Sequence, residues 1–173
     1  MSKSNIPDKI INFNIYNEAE KLLGVSGEVT MPDFESISET LSGAGILGEI
    51  ESPTPGHFGS QEIEIPFRTL TQSSMKLLEH ENNTFIFRAA QQSRSIQDNK
   101  TVVRPLKIIT KGASKGVNLG KLGVGAQTET TVKQEIYYIK VEENGVTLLE
   151  LDKLNFIYIV NGVDKLADIR NAI

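Results

Sequence analysis

Residues 128–158 limit the possible folds of this chain more than any other stretch. Glu143, Asn144 and Gly145 separate two runs rich in β-branched and aromatic residues, Thr130–Glu142 and Val146–Val160. Asn-Gly is the strongest short-range hairpin signal, because both residues accept the positive φ of a type I′ turn. The two arms therefore predict a pair of long antiparallel strands, each about twice the usual ~5–6 residues. A ribbon of that size is the spine of a small fold, not its margin.

Alternation elsewhere predicts strands over Ile10–Tyr16, Leu22–Met31, Glu35–Leu41, Gln61–Phe67, Thr84–Ala90 and Val102–Thr110, with Pro32 ending the second. In the third, Ile37 and Leu41 share a side with Glu35 and Glu39, and Ser36, Ser38 and Thr40 line the other. That pattern suits a strand with one side wet. Thr71 is placed to cap a helix over Ser73–His80 with a narrow stripe of Met75, Leu77 and Leu78. Gln91–Lys100 reads as a polar connection, Lys111–Gln127 as a glycine-rich loop, and Lys165–Ile173 as a short helical or irregular tail. Leu41–Gln61 is a Gly- and Pro-rich excursion of a length that is usually functional or disordered. Ile46, Leu47 and Phe58 are apolar anchors within it, for which burial against a partner is a reason. Its few anchors and many glycines predict disorder in the free chain. Together these features predict a mainly β fold, an antiparallel barrel or sandwich with one flanking α-helix, in a single domain over residues 1–173.

Chemistry is sparse. A net charge of −4 is the wrong sign for a duplex-binding surface. The absence of cysteine removes disulfides, thiolate catalysis and Cys-based zinc sites. The first residues lack an apolar signal core, and the longest apolar run, Phe156–Val160, is too short to span a bilayer. Synthesis in the cytoplasm and no membrane segment are expected. Gly116–Gly125 tempts toward phosphate binding, but only three residues separate Gly116 from Gly120, and Leu122 follows Lys121 where a P-loop needs Ser or Thr. His57 and His80 have no second ligand at metal spacing. Glu28, Glu35, Glu39, Glu49, Glu51, Glu62 and Glu64 read as solvated strand faces. No catalytic residue, cofactor or metal is expected.

Three stretches, in order, resemble the contractile-tail tube proteins of bacteriophages and of phage-tail-like bacteriocins. The first is Asn12–Asn17 followed by Gly24–Pro32. The second, Ser42, Gly43, Ala44, Gly45, Ile46, Leu47 and Gly48, is similar to that family's Gly-Ala-Gly-Met-Asn-Gly loop. The third, Leu149–Asn155 with Val160–Leu166, is similar to its closing Glu-Ile-Asp…Asn and Val-Asn-Gly-Val-Asp-Arg-Leu; it contains Asp152, Asn155, Asn161, Gly162, Val163 and Asp164. The insert Ser52–Gly56 departs from the commonest loop.

The resemblance implies a non-catalytic β protomer that joins into hexameric rings, stacked into a tube inside a contractile sheath. It implies as partners the protein itself, the sheath, baseplate and tail terminator proteins, and DNA or ions passing through the bore. The excursion at about 41–61, with Gly43–Gly48 and Phe58, becomes the inter-ring or inter-subunit loop. An acidic bore repels phosphate, which makes Glu28, Thr30, Ser36, Ser38 and Thr40 candidates to face it. Period alone leaves open whether they face ordinary outer solvent instead. The other readings are a tube component of a related secretion machine, a monomeric ligand-binding sandwich and, last, an enzyme.

Overall fold

The computed structural model describes residues 5–18, 20–79 and 81–173. It contains the strands β1 (Asn5–Asn17), β2 (Glu20–Lys21), β3 (Ser36–Ser42), β4 (Glu49–Phe58), β5 (Glu62–Phe67), β6 (Asn83–Ser95), β7 (Thr101–Asn118), β8 (Thr130–Glu143), β9 (Val146–Asp152), β10 (Ile157–Val160) and β11 (Val163–Asp164). Two short helices, α1 (Gln72–Lys76) and α2 (Ala167–Ala172), complete the described elements. One antiparallel sheet runs in the order β11-β10-β9-β8-β7-β6-β1-β2, with β5 also on β8; β3 and β4 form a separate ribbon.

β8 is the spine the hairpin signal predicts. β7 pairs with one of its margins, and on the other β5 takes Thr130–Glu135 while β9 takes Tyr138–Glu143. The handover falls at a bulge, where Tyr137 is the extra residue between the pairs Gly112↔Ile136 and Lys111↔Tyr138. One inserted residue reverses the facing of everything after it. Val132 and Ile136 before the bulge and Ile139 beyond it all point inward as a result. The backbones are so close there that a Cβ on Gly112 would lie 1.7 Å from the Glu135 carbonyl oxygen.

The core gathers Ile15, Ile63, Ile65, Phe67, Phe85, Phe87 and Leu151 around those β8 residues. Each such side chain contributes about 1.5–3 kcal/mol by leaving water. Gln134 crosses this interior, accepting from Thr110 Oγ1 at 3.2 Å and donating to the Asn83 carbonyl at 2.6 Å. A buried amide so provided for costs little.

Several expectations are corrected. Asn144 (φ 50°) and Gly145 (φ 78°) form the predicted turn, but the outgoing arm is two strands, not one. It breaks after Asp152, and β10 folds back antiparallel along β9. Leu22–Met31 is not a strand: Gly24 turns the chain at φ 79°, and only the isolated bridges Val25↔Phe67 and Thr30↔Glu64 join it to β5. That irregular segment spans the gap between β1 and β5, so the sheet curls without forming a closed barrel. Gln91–Ser95 and Lys111–Asn118 are strand, because β6 and β7 continue to pair beyond the core.

The predicted helix is a single turn. Its capping box is present, with Thr71 Oγ1 accepting from Ser74 N–H at 3.2 Å and Ser74 Oγ from Thr71 N–H at 3.1 Å. Leu77 is buried, whereas Met75 faces solvent. His80 lies outside the described residues. The tail supplies a second helix, α2, where one flanking helix was expected.

Candidate functional site

The Gly- and Pro-rich excursion is a projecting β-ribbon, not a structureless loop. β3 and β4 pair from Ser42↔Glu49 down to Ser38↔Pro53. The pairing resumes at Ser36↔Phe58, so residues 54–57 bulge out opposite Ile37. Proline is tolerated because each strand of a two-stranded ribbon has one margin that needs no partner. No residue of either strand is buried.

The ribbon's two faces differ. Ser38, Thr40 and Ser42 lie opposite Pro53, Glu51 and Glu49, giving a hydroxyl-and-carboxylate face; Ser38 Oγ reaches Glu51 at 3.5 Å. Ile37, Glu39 and Leu41 take the other face, Leu41 opposite Ile50. At the tip, Ile46 N–H donates to the Gly43 carbonyl at 3.1 Å, closing a turn through Ala44 and Gly45. Beyond it Leu47, just before Gly48, is fully exposed at 105%. An apolar side chain at the end of an arm has no use in water.

The root is held inside the chain. Phe58 packs edge-on against Phe34 and Tyr158, with ring centres at 5.6 and 5.2 Å. His57 meets the Phe156 ring at 6.4 Å. Gly56 (φ 73°) passes so close to Leu166 that a Cβ would lie 2.8 Å from its methyl groups. The bulge at residues 54–57, which overlaps the Ser52–Gly56 insert, is therefore part of the clamp of the ribbon. Phe58, expected as an anchor for a partner, spends its ring on this clamp.

The closing motif residues are the turn-builders beneath that clamp. Asp152 accepts from the backbone N–H groups of Leu154 and Asn155, both at 3.0 Å, and from Asn155 Nδ2 at 2.7 Å. This side-chain turn reverses the chain from β9 into β10. Asn161 (φ 50°) and Gly162 (φ 80°) then make a second Asn-Gly hairpin, pairing Val160 with Val163. Asp164 accepts from Leu166 N–H at 3.0 Å and from Arg170, which also donates to the Phe156 carbonyl at 2.8 Å. The Arg170 guanidinium holds the Asp164 carboxyl below its ordinary range.

Of the bore candidates, Ser38 and Thr40 share the polar ribbon face, and Ser36 lies below the bulge. Glu28 and Thr30 belong elsewhere, in a polar cleft with Ser26, Glu64, Glu129 and Thr131. The structure thus separates into two patches what period placed in one group. Glu62 and Glu64 are not merely solvated. Lys115 bridges Glu62 at 2.9 Å and Glu135 at 3.4 Å, and Lys133 joins Glu62 to Glu64. Lys115 lowers the Glu62 carboxyl. Burial pushes Glu135 up, but hydrogen bonds from Ser60, the Gln61 N–H and Lys115 outweigh it and leave it lowered. Sequence reasoning missed this ladder, whose signal was opposite charge at alternate positions of β5 and β8.

Among the described residues the outer margin of β1 is paired only near its end, by β2 at Tyr16 and Asn17 and by Leu22 N–H donating to the Ile15 carbonyl at 2.8 Å, and Ile6, Ile10 and Ile11 are exposed. Among the described residues no group of three or more His, Cys, Asp or Glu could hold a metal. Among the described residues no helix is long and apolar enough to cross a membrane.

A projecting arm, an uncovered sheet margin and a terminus built of turns are the parts of a construction element. The chain belongs to the phage tail tube protein FII family, whose model matches residues 7–173. It is similar to the tail tube protein of Escherichia phage P2, at 24% identity over 172 residues, covering 97% of this chain and 98% of that one. The protein is a structural subunit of a phage tail tube. The family favours this over the secretion-machine reading.

Proposed function

We propose that this chain acts as one domain over residues 1–173 and joins into hexameric rings whose stacking builds a hollow conduit, with the ribbon at about 41–61 reaching from one subunit into another. The observation that carries this reading is the ribbon itself. A two-stranded hairpin alone is marginal in water, and this one has no buried residue and ends in exposed Leu47. Covering it with copies of the chain supplies the missing burial. The bare margin of β1 supports the ring in the same way, since a head-to-tail contact that closes on itself leaves no strand edge exposed.

In this reading Ser38, Thr40, Glu49 and Glu51 present a wet acidic face to the bore, along which DNA, or ions in a bacteriocin, pass without adhering. Sheath, baseplate and terminator proteins complete the tail. The subunit is made in the bacterial cytoplasm before assembly. Electron microscopy of protein in which Asn-Gly replaces residues 42–48 tests the ribbon's part. Loss of tubes with an unchanged circular dichroism spectrum is expected; tubes of normal length would overturn it.

A further inference from the structure

We propose that the Ile37–Leu41 face of one copy's ribbon seats on the outer face of the β6–β7 hairpin of a second copy. This rests on the tube reading and names the surface that receives the ribbon.

The two surfaces carry opposite charge. Between residues 33 and 58 the chain carries Asp33, Glu35, Glu39, Glu49 and Glu51 and no Lys or Arg. Between residues 88 and 111 it carries Arg88, Arg94, Lys100, Arg104, Lys107 and Lys111 against Asp98 alone. Such segregation in a chain of net charge −4 favours encounter of unlike surfaces and disfavours like ones.

The receiving face combines apolar and basic side chains. Arg88 lies opposite Lys107, Ala90 opposite Pro105, Gln92 opposite Val103 and Arg94 opposite Thr101, so these side chains share one side of the hairpin. Val103 and Pro105 are exposed in its middle. Arg88 and Arg94 stand at its ends, about 20 Å apart at strand rise. Arg88 lies over the Tyr16 ring at 5.4 Å, and Arg94 donates to Asn99 at 3.1 Å. Among the described residues neither forms an ion pair, and neither do Glu35 and Glu39. The ribbon face carries exposed Ile37, Leu41 and Ile50, with Glu39 between Ile37 and Leu41 and Glu35 beyond Ile37. Each face thus mixes exposed apolar side chains with charges of the sign opposite to the other's.

The contact joins two copies, because the ribbon is rooted beside β10, away from β6 in the sheet order. The ribbon's root is clamped at Tyr158, Phe156 and Leu166. In the sheet, β9, β8 and β7 lie between β10 and β6.

A charge-swap cycle tests this. Glu35→Lys/Glu39→Lys and, separately, Arg88→Glu/Arg94→Glu should each cut pelletable tube by about tenfold at ~0.1 M salt. The chain with all four changes should recover to near the wild-type yield, with circular dichroism reporting the fold of every variant. Raising salt should weaken wild-type assembly, because screening shortens to ~3 Å near 1 M. Double variants that polymerise as wild type, a fourfold variant no better than either double, or assembly indifferent to salt would overturn the docking while leaving the tube reading intact. A wild-type chain that never forms tubes would overturn the tube reading first.

Discussion

β8 and β3 are both antiparallel strands with regular pairing, yet their positions in the molecule could hardly differ more. Along β8, Thr130, Val132, Gln134 and Ile136 alternate with half-exposed neighbours and are themselves sealed from water. Along β3 no residue is sealed on either face. The hydrogen-bond ladder is common to both, so it does not account for the difference. What separates them is the second layer: β8 has the core pressed on one side, and the ribbon waits for one. In this chain, backbone pairing sets shape and side-chain burial sets stability.

The comparison breaks if the two regions respond alike to truncation. Phe85→Ala removes a core ring and should cost about 3–5 kcal/mol in denaturant unfolding. Leu47→Ser should leave the same curve within about 0.5 kcal/mol while reducing tube formation; an equal loss of stability at both sites would refute the division. A smaller effect tests how tightly β7 and β8 meet. Gly112→Ala, with its Cβ facing the Glu135 carbonyl at 1.7 Å, should cost about 1–3 kcal/mol, read from the same unfolding curves.

The smallest effect is that of pH. Glu62, Glu135 and Asp164 are all lowered in the folded chain, from ordinary values of 4.5 for Glu and 3.8 for Asp. Their stabilisation is therefore present above those ordinary values and is lost as pH falls through the lower folded ones. Melting temperature should be unaffected by these groups between pH 5 and 7, as neutral-range values, and should drop below about pH 4. Glu62→Gln together with Glu135→Gln should flatten part of that drop. An acid limb unchanged in that variant would assign it to other carboxylates.

What could be read before the structure was whatever is local. Asn144-Gly145 announces its turn because two adjacent residues suffice to specify it. The same dipeptide at Asn161-Gly162 carried an equal signal and marks a second hairpin, which the long apolar run before it concealed. Thr71 likewise announced its cap. The family's closing motif was legible as a string, but not as a set of turns. Harder to read were strands whose neighbours are far away in sequence. Gln91–Ser95 lacks alternation of polarity because β6 extends past the core there, so only its partners β1 and β7 reveal it. Leu22–Met31 alternates well and still forms no strand, since Gly24 diverts it from a continuous neighbour. Proline within β4 argued for a loop, and a ribbon with free margins admits it. The bore candidates fall in two patches, because period assigns sides within a strand but does not relate one strand's side to another's.

The clamp at Gly56 and Leu166 makes the ribbon a lever with a short arm inside the protomer and a long one outside it. The seven residues of β3 extend roughly 23 Å, so a tilt of about 10° at the pivot carries the far end some ~4 Å sideways by the same strand rise. In the tube proposed above, sub-ångström repacking around one leucine inside the protomer is thereby multiplied at the ribbon's tip, where the neighbouring copy receives it.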